Sequence, residues 1–94
     1  MRRYETMFIL RPGLEQEALD AAVERFKGVL EEQGGTVERI DRWGKRRLAY
    51  EIAKEKEGYY VVMDFQAEPP AVKELDRVFK LSGNVLRHLI ILRD

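Results

Sequence analysis

Apolar and polar residues alternate along this chain in two periods, and the changes between them predict six secondary-structure elements. Apolar side chains at every second position are typical of strands, whereas spacings of three and four are typical of helices. The first strand is apolar on both faces near its end, with Phe8 and Leu10 on one face and Met7 and Ile9 on the other, so it should be central in its sheet. The predicted elements are a strand over residues 1–10, a helix over 14–33, strands over 36–53 and 59–67, a helix that opens at 68–70, and a strand over 85–92.

This order of elements predicts an α+β fold, the ferredoxin-like split βαβ sandwich (βαββαβ). Right-handed crossovers and short connections leave it as the dominant solution, a four-stranded antiparallel sheet with the first and third strands central and both helices on one face. The other face of the sheet is open, and Met7 and Ile9 are expected there if Phe8 and Leu10 point to the helices. Apolar side chains on an open face need a partner or must tolerate water.

The second and third strands are predicted to form a hairpin in which the second strand is irregular. Val37 and Ile40 are out of phase in the alternation, which indicates a bulge or a sharp twist, expected near Gly44. The polar segment 54–58 is predicted to be the turn between the two strands. The first helix is expected to stop at the pair Gly34-Gly35.

Length and composition favour one domain over residues 1–94. A chain of 94 residues buries only about 60–65% of its unfolded surface, so its core is too small for a deep substrate-binding pocket. Cysteine is absent, which excludes disulfides, a thiol nucleophile and a zinc knuckle. Without tyrosine, the longest apolar runs have four residues, whereas a membrane span needs about 20. Glu5 argues against a signal peptide. We therefore expect a cytoplasmic protein without a membrane partner.

The sequence offers no catalytic constellation, so we expect neither an enzyme nor a cofactor, metal or small-molecule substrate. His88 is the only histidine and lies in an alternating apolar strand, which favours a structural or solvent-edge histidine over a functional one. Nucleophile motifs and phosphate-cradling glycine loops are absent. Acylphosphatases share the predicted fold, but their glycine-rich loop after the first strand is not present here, and a fold alone does not define a function.

Charge is balanced overall, at 17 basic and 17 acidic residues, but it is segregated along the chain. Residues 36–50 carry a net charge of +3, and the run Arg42-Trp43-Gly44-Lys45-Arg46-Arg47 places four cations in six residues. In the predicted sheet this run is expected beside the basic start, Arg2-Arg3. Arginine donors match phosphate geometry, so the cluster is interpreted either as a contact to an RNA backbone or as a charged strand edge that blocks aggregation.

The third strand is partly similar to an RNA-recognition motif, which stacks bases on the aromatic residues of its central strands. Segment 57–64 fits the pattern at Gly58, Tyr59 and Val62 but not at the leading cation or the final aromatic position. Tyr59 and Phe65 are therefore interpreted as core residues.

Four segments resemble the bacterial family of small-subunit ribosomal protein number six. Gly44-Lys45-Arg46-Arg47-Leu48-Ala49-Tyr50-Glu51-Ile52 is similar to the family's glycine and basic residues followed by Leu-Ala-Tyr, one further residue and Ile. The opening Met-Arg-Arg-Tyr-Glu, Gly58-Tyr59-Tyr60 and Asn84-Val85-Leu86-Arg87-His88 also look like that family. Two departures are Glu51, where proline is common, and the end of the sequence at Asp94, where many relatives carry a C-terminal tail.

The resemblance implies a ferredoxin-like structural constituent of the small ribosomal subunit. It implies binding to the central domain of 16S ribosomal RNA together with small-subunit ribosomal protein number eighteen, and we expect weak RNA binding by the isolated chain. The alternative is a protein-interaction module whose open sheet face docks a partner, with RNA contact secondary. Leu48, Tyr50 and Ile52 are expected to hold the strand so that its cations face outward. The residues expected to contact RNA are Arg2, Arg3, Tyr4, Lys45, Arg46, Arg47 and Arg87.

Overall fold

The computed structural model describes all residues from 1 to 94 and contains each of the six predicted elements. The last strand keeps its predicted bounds, and the other elements shift by a few residues at their ends. The elements are β1 (Arg2–Leu10), α1 (Gln16–Glu32), β2 (Thr36–Ile52), β3 (Glu55–Ala67), α2 (Pro69–Leu81) and β4 (Val85–Leu92). No helix is both long enough and apolar enough to cross a membrane.

The four strands form one antiparallel sheet in the order β2-β3-β1-β4, which confirms that the first and third strands are central. β1 pairs with β3 along its whole length, from Arg2 opposite Ala67 to Leu10 opposite Tyr59, and its other edge pairs with β4. β2 and β4 are therefore the edge strands of the sheet.

The core lies between the sheet and the two helices. Phe8 of β1, Phe26 of α1 and Phe79 of α2 meet at its centre, with ring centroids 4.7–5.1 Å apart. Such aromatic pairs contribute about 0.5–1.5 kcal/mol each beyond the burial of apolar area. Phe8 thus faces the helices, and Met7 and Ile9 lie on the helix-free face, as expected. The largest of the fully buried side chains are Thr6, Phe8, Leu10, Val23, Phe26, Leu30, Val61, Met63, Phe65, Leu75 and Phe79.

The ends of both helices follow from their sequences. Gly34 after α1 has a φ of +82°, a left-handed conformation that glycine adopts without a Cβ clash. The N–H of Gly34 donates to the carbonyl of Glu31, and the N–H of Gly35 donates to the carbonyl of Leu30, which together form a Schellman motif. α2 opens at Pro69, where the missing N–H of proline leaves no helical hydrogen bond unmade.

The turn of the β2–β3 hairpin is shorter than predicted and lies earlier in the chain. The prediction of a turn over 54–58 is wrong, because Ala53 and Lys54 alone form the turn and β3 already begins at Glu55. Both turn residues have positive φ, 51° and 67°, as a two-residue hairpin turn of type I′ requires. Neither residue is a glycine or an asparagine, so the usual sequence signal for such a turn is missing.

β2 is irregular, as its sequence pattern predicts. Its register against β3 shifts at three places, between Val37 and Arg39, between Arg42 and Gly44, and between Arg47 and Ile52. Gly44 has a φ of +84°, where a side chain would be strained. The second shift leaves Trp43 as the extra residue of a bulge, which changes the face on which the following residues lie.

Candidate RNA- and protein-binding surfaces

The six basic residues predicted to contact RNA are all exposed, and none of them forms a salt bridge. Their charges are therefore available to phosphate groups, which are bound mainly by Arg and Lys side chains. Other cations of the chain are neutralised by side-chain carboxylates, namely Arg11, Arg39, Arg42, Arg77 and Lys80.

The predicted cations form two groups rather than one, which corrects the expectation that Arg2-Arg3 lie beside the run at 42–47. Arg3 lies opposite Gln66 of β3, whereas Lys45 lies opposite Tyr59. Residues 59 and 66 are seven positions apart, which is roughly 23 Å at the rise of a strand. An RNA that contacts both groups must follow the sheet over that distance.

Strand alternation also divides the basic run between the two faces of the sheet. Lys45 lies opposite Tyr59, which packs against the helix-side core, and Arg47 shares this orientation because it is two residues further along. Arg46 lies on the helix-free face, where the carbon of its guanidinium is 5.2 Å from the centroid of the Trp43 ring. Only Arg46 of these three is therefore directed to the uncovered side of the sheet.

The remaining predicted residues are divided in the same way. Tyr4 is half-buried on the helix side of β1, and its ring stacks on Phe65 with centroids 5.5 Å apart. Arg2 shares this side by alternation, whereas Arg3 and Arg87 lie on the helix-free face. Tyr4 therefore has a packing role, which leaves only part of its surface for an RNA contact.

Arg42 belongs to the basic run but is held by α1. Its guanidinium pairs with the carboxylate of Asp20, which also accepts a hydrogen bond from the side-chain amide of Gln16. Arg42, and after it Gln16, hold the pKa of Asp20 below its ordinary value, because both donors stabilise the ionised carboxylate. Arg42 thus joins β2 to the helix layer and is not available to a phosphate.

The helix-free face carries large apolar side chains without a cover. Four of the seven exposed large hydrophobic residues lie on it: Trp43 (44% exposed), Tyr50 (61%), Leu89 (48%) and Ile91 (39%). Met7 and Leu89 line a shallow hollow of about 240 Å³ on the same face. Uncovered apolar surface of this kind is typical of interaction sites.

The end of the β2–β3 hairpin covers one part of this face. A Cβ placed on Gly58 would lie 2.2 Å from Cγ2 of Ile9 and 3.5 Å from Cδ2 of Leu48. Gly58 therefore leaves the space that Ile9 and Leu48 fill, and both of these residues are buried. Tyr50, two residues after Leu48, stays mostly exposed and accepts a hydrogen bond from Arg87 through its phenolic oxygen.

His88 links β4 to α2. Its Nε2 lies 2.6 Å from Oδ1 of Asp76, and its ring packs against Phe79 with centroids 4.8 Å apart. Lys80 pairs with the other carboxylate oxygen of Asp76. These contacts give the histidine the structural position that its apolar strand predicts, and no group of three or more His, Asp or Glu side chains is arranged to hold a metal ion.

The similarity to an RNA-recognition motif is out of phase with this sheet. Tyr59, at a stacking position of that motif, packs against the helix-side core. Its neighbour Tyr60 faces the helix-free side and lies nearly parallel to Trp43, with ring centroids 6.2 Å apart and 10° between the planes. The sequence does not predict this pair, because the bulge at Trp43 sets the orientation of the indole and alternation alone does not locate it.

The fold and these surfaces define a ferredoxin-like α+β protein whose helix-free sheet face is available to a partner, a class that includes RNA-binding domains. The chain belongs to the family described as Ribosomal protein S6, whose profile matches residues 3–92.

Two relatives and one solved structure illustrate the match. The small ribosomal subunit protein bS6 of Clostridium botulinum (strain Loch Maree / Type A3) is 55% identical over 94 residues, which cover 100% of both chains. The protein of the same name from Carboxydothermus hydrogenoformans is 53% identical over 100% of this chain and 98% of its own. The crystal structure of 30S ribosomal protein S6 from Thermotoga maritima has a TM-score of 0.93 at 34% identity, covering 98% of this chain and 87% of that one.

Family membership makes the chain a structural protein of the small ribosomal subunit and not an enzyme. The family also locates the chain in the cytoplasm, in an assembly with ribosomal RNA and other ribosomal proteins. The close agreement with a solved structure confirms the predicted split βαβ sandwich.

Proposed function

We propose that residues 1–94 act as one domain that binds the central domain of 16S ribosomal RNA together with small-subunit ribosomal protein number eighteen. The observation that carries the RNA contact is the state of the six predicted cations, which are all exposed and free of salt bridges. Arg39 and Arg77 are also exposed but are paired with carboxylates. Other cations, such as Arg25 and Arg93, have no salt bridge either, so the family pattern is what selects the six predicted residues among the unpaired cations.

The two groups of cations contact the RNA at separate places. Arg2 and Arg3 bind the backbone near the start of β1, and Lys45, Arg46 and Arg47 bind it about 23 Å away along the sheet. Contacts of this kind read the shape of a folded RNA through its phosphates and carry little information about base sequence. Arg87 and Tyr4 make the remaining contacts.

A second candidate, a protein-interaction module with RNA contact secondary, is favoured by the apolar side of the helix-free face. Leu89 and Ile91 of β4 stay exposed beside the hollow at Met7. The two candidates are compatible, because a basic partner protein is attracted to the acidic segments of the chain and covers apolar surface as it binds. We therefore expect weak RNA binding by the isolated chain and tighter binding when the partner protein is present.

The RNA contact is tested by removing two cations and measuring the salt dependence of binding. The double variant Arg46→Ala/Arg47→Ala should lower the slope of log K against log salt by about 1.4–1.8, because each phosphate contact contributes about 0.7–0.9. The assay uses 16S central-domain RNA with the partner protein present. The matched control is Arg77→Ala/Lys80→Ala, which removes two cations of α2 that are already paired with carboxylates.

The control variant should keep the slope of the unaltered protein. An unchanged slope and affinity for Arg46→Ala/Arg47→Ala would show that these residues do not contact RNA. Tight RNA binding by the isolated chain, equal to that of the pair, would contradict the dependence on a protein partner.

A further inference from the structure

We propose that Trp43, Tyr60 and Arg46 form a stacking site for one unpaired nucleobase of RNA. These residues, the aromatic–arginine cluster, lie together on the helix-free face, where the bulge of β2 meets β3. The proposal rests on the proposed RNA-binding function and extends it, because it adds a contact to a base at Trp43 and Tyr60 beside the phosphate contact of Arg46.

The bulge of β2 holds the indole in a fixed, outward position. Nε1 of Trp43 donates to Oδ2 of Asp41 at 3.2 Å, Tyr60 lies nearly parallel to the ring, and Arg46 lies over it. Despite these contacts, 44% of Trp43 stays exposed, and the residue does not belong to the hydrophobic core. An aromatic ring that is held in place and still exposed can stack on a ligand with little further loss of conformational freedom.

The charges around the cluster favour a nucleic acid. Lys45, Arg46 and Arg47 are without salt bridges, and the carboxylate of Asp41 already accepts the indole N–H. Of these three cations, Arg46 lies on the same face as the indole, so a phosphate bound to Arg46 places its nucleotide directly beside the ring. Unpaired bases stack on aromatic rings and on guanidinium planes, and the cluster presents both types of surface.

The composition of the cluster also separates it from the part of the same face that suits a protein. The exposed aliphatic side chains, Leu89 and Ile91, lie on β4, and β1 separates them from the aromatic residues of β2 and β3. Aliphatic surface is typical of protein contacts, whereas a Trp–Tyr–Arg group beside unpaired cations is typical of stacking platforms for single strands. The helix-free face thus carries two kinds of surface, which meet at Tyr60 because its ring also lines the hollow at Met7 and Leu89.

Trp43 is the only tryptophan of the chain, so its fluorescence reports on this site alone. The full chain is titrated at low salt, where phosphate contacts are strongest, with a single-stranded oligouridylate octamer. The comparison ligand is a phosphodiester octamer of equal charge in which tetrahydrofuran residues replace the nucleosides. We expect the octamer with bases to quench the indole, and the abasic octamer to bind more weakly without quenching it.

Affinity measurements on variants separate stacking from charge. Trp43→Leu should weaken binding of the octamer by about 5- to 100-fold without changing the salt slope, because no phosphate contact is lost. Trp43→Phe keeps an aromatic face and should retain most of the affinity. Lys45→Ala, on the opposite side of β2, should lower the salt slope by about 0.7 and leave the quenching at saturation intact.

Three results would overturn the proposal, and they have different consequences. Equal binding of both octamers, with the salt effect of Arg46→Ala/Arg47→Ala preserved, removes the stacking site and leaves the RNA-binding function intact. Absence of binding by either octamer, together with an unchanged ribosomal RNA assembly for the double variant, removes both. A fluorescence change that occurs only when the partner protein is added assigns the cluster to a protein contact instead.

Discussion

The two faces of the sheet are made from the same strands but are covered in different ways. On the helix side, Thr6 and Phe8 of β1 are fully buried under α1 and α2. On the other side, Ile9 is buried where Gly58 and Leu48 of the hairpin adjoin it, and Met7 is half-buried. The comparison shows that strand alternation assigns side chains to a face, whereas the elements that lie above each face decide how much those side chains stabilise the fold.

The largest loss in the free energy of unfolding should come from a substitution that leaves a cavity under the helices. Phe8→Ala removes the ring that contacts Phe26 and Phe79, so the free energy of unfolding should fall by about 3–5 kcal/mol. The neighbouring substitution Met7→Ala, on the uncovered face, should cost only about 1 kcal/mol. Urea denaturation of both variants measures the difference, and equal losses would show that the two faces contribute alike.

A smaller loss of stability is expected at Gly58, where the helix-free face is tightly packed. Gly58→Ala places a Cβ against Cγ2 of Ile9, so we expect a loss of about 1–3 kcal/mol from overpacking. The control is Gly28→Ala in α1, which meets nothing within 4 Å and should stabilise the protein by about 0.5–1 kcal/mol. Adding Ile9→Leu, which removes the clashing methyl group, should recover part of the loss. A neutral Gly58→Ala would mean that the hairpin end does not press on the sheet.

The smallest effect should appear at the edge of the helix-covered face, where Asp76 joins α2 to β4. Lys80, and after it His88, hold the pKa of Asp76 below its ordinary value. The folded state therefore favours the ionised carboxylate. Its contribution to the free energy of unfolding is present above about pH 4 and is lost as the pH falls through the lowered pKa. Asp76→Asn should remove this contribution, which we expect to be below about 1 kcal/mol because the pair is partly exposed.

Urea midpoints at about pH 7 and about pH 2.5, which lie on either side of the ordinary pKa values of carboxylates, test the role of Asp76. The loss of stability on acidification should be smaller for Asp76→Asn than for the unaltered chain. Glu31→Gln, an exposed carboxylate of α1 without a salt bridge, is the control. An identical pH dependence for Asp76→Asn and the unaltered chain would exclude this contribution.

The fold could be predicted from the sequence because each element has a clear period and the order of elements allows few topologies. The hairpin turn could not, because Ala53 and Lys54 adopt positive φ without the residues that normally indicate it. The predicted turn ends at Gly58, but this glycine lies within β3, where the absence of a side chain makes room for Ile9. That role depends on a contact between strands that no local pattern contains.

The candidate surfaces were predictable in part. The exposed cations follow from the sequence run and the family pattern. The sequence interpretation places Arg2-Arg3 beside the run at 42–47, although the predicted strand order already separates them. β1 and β2 both run antiparallel to β3, so the start of β1 aligns with the start of β2 at Thr36 and not with its second half. This conclusion follows from the predicted topology alone. The pairing of Trp43 with Tyr60 does not, because it depends on the position of the bulge.

The central position of β1 has a consequence for the order of events during synthesis. β1 is translated before every other strand, yet its two neighbours are β3 and β4, and β4 is translated last. Until β4 emerges, the hydroxyl of Thr6 lacks its acceptor, the carbonyl of Leu89, and the carbonyl of Arg3 lacks the N–H of Arg93. The β2–β3 hairpin can form earlier from neighbouring residues alone, but the sheet closes only when the last strand returns to the first.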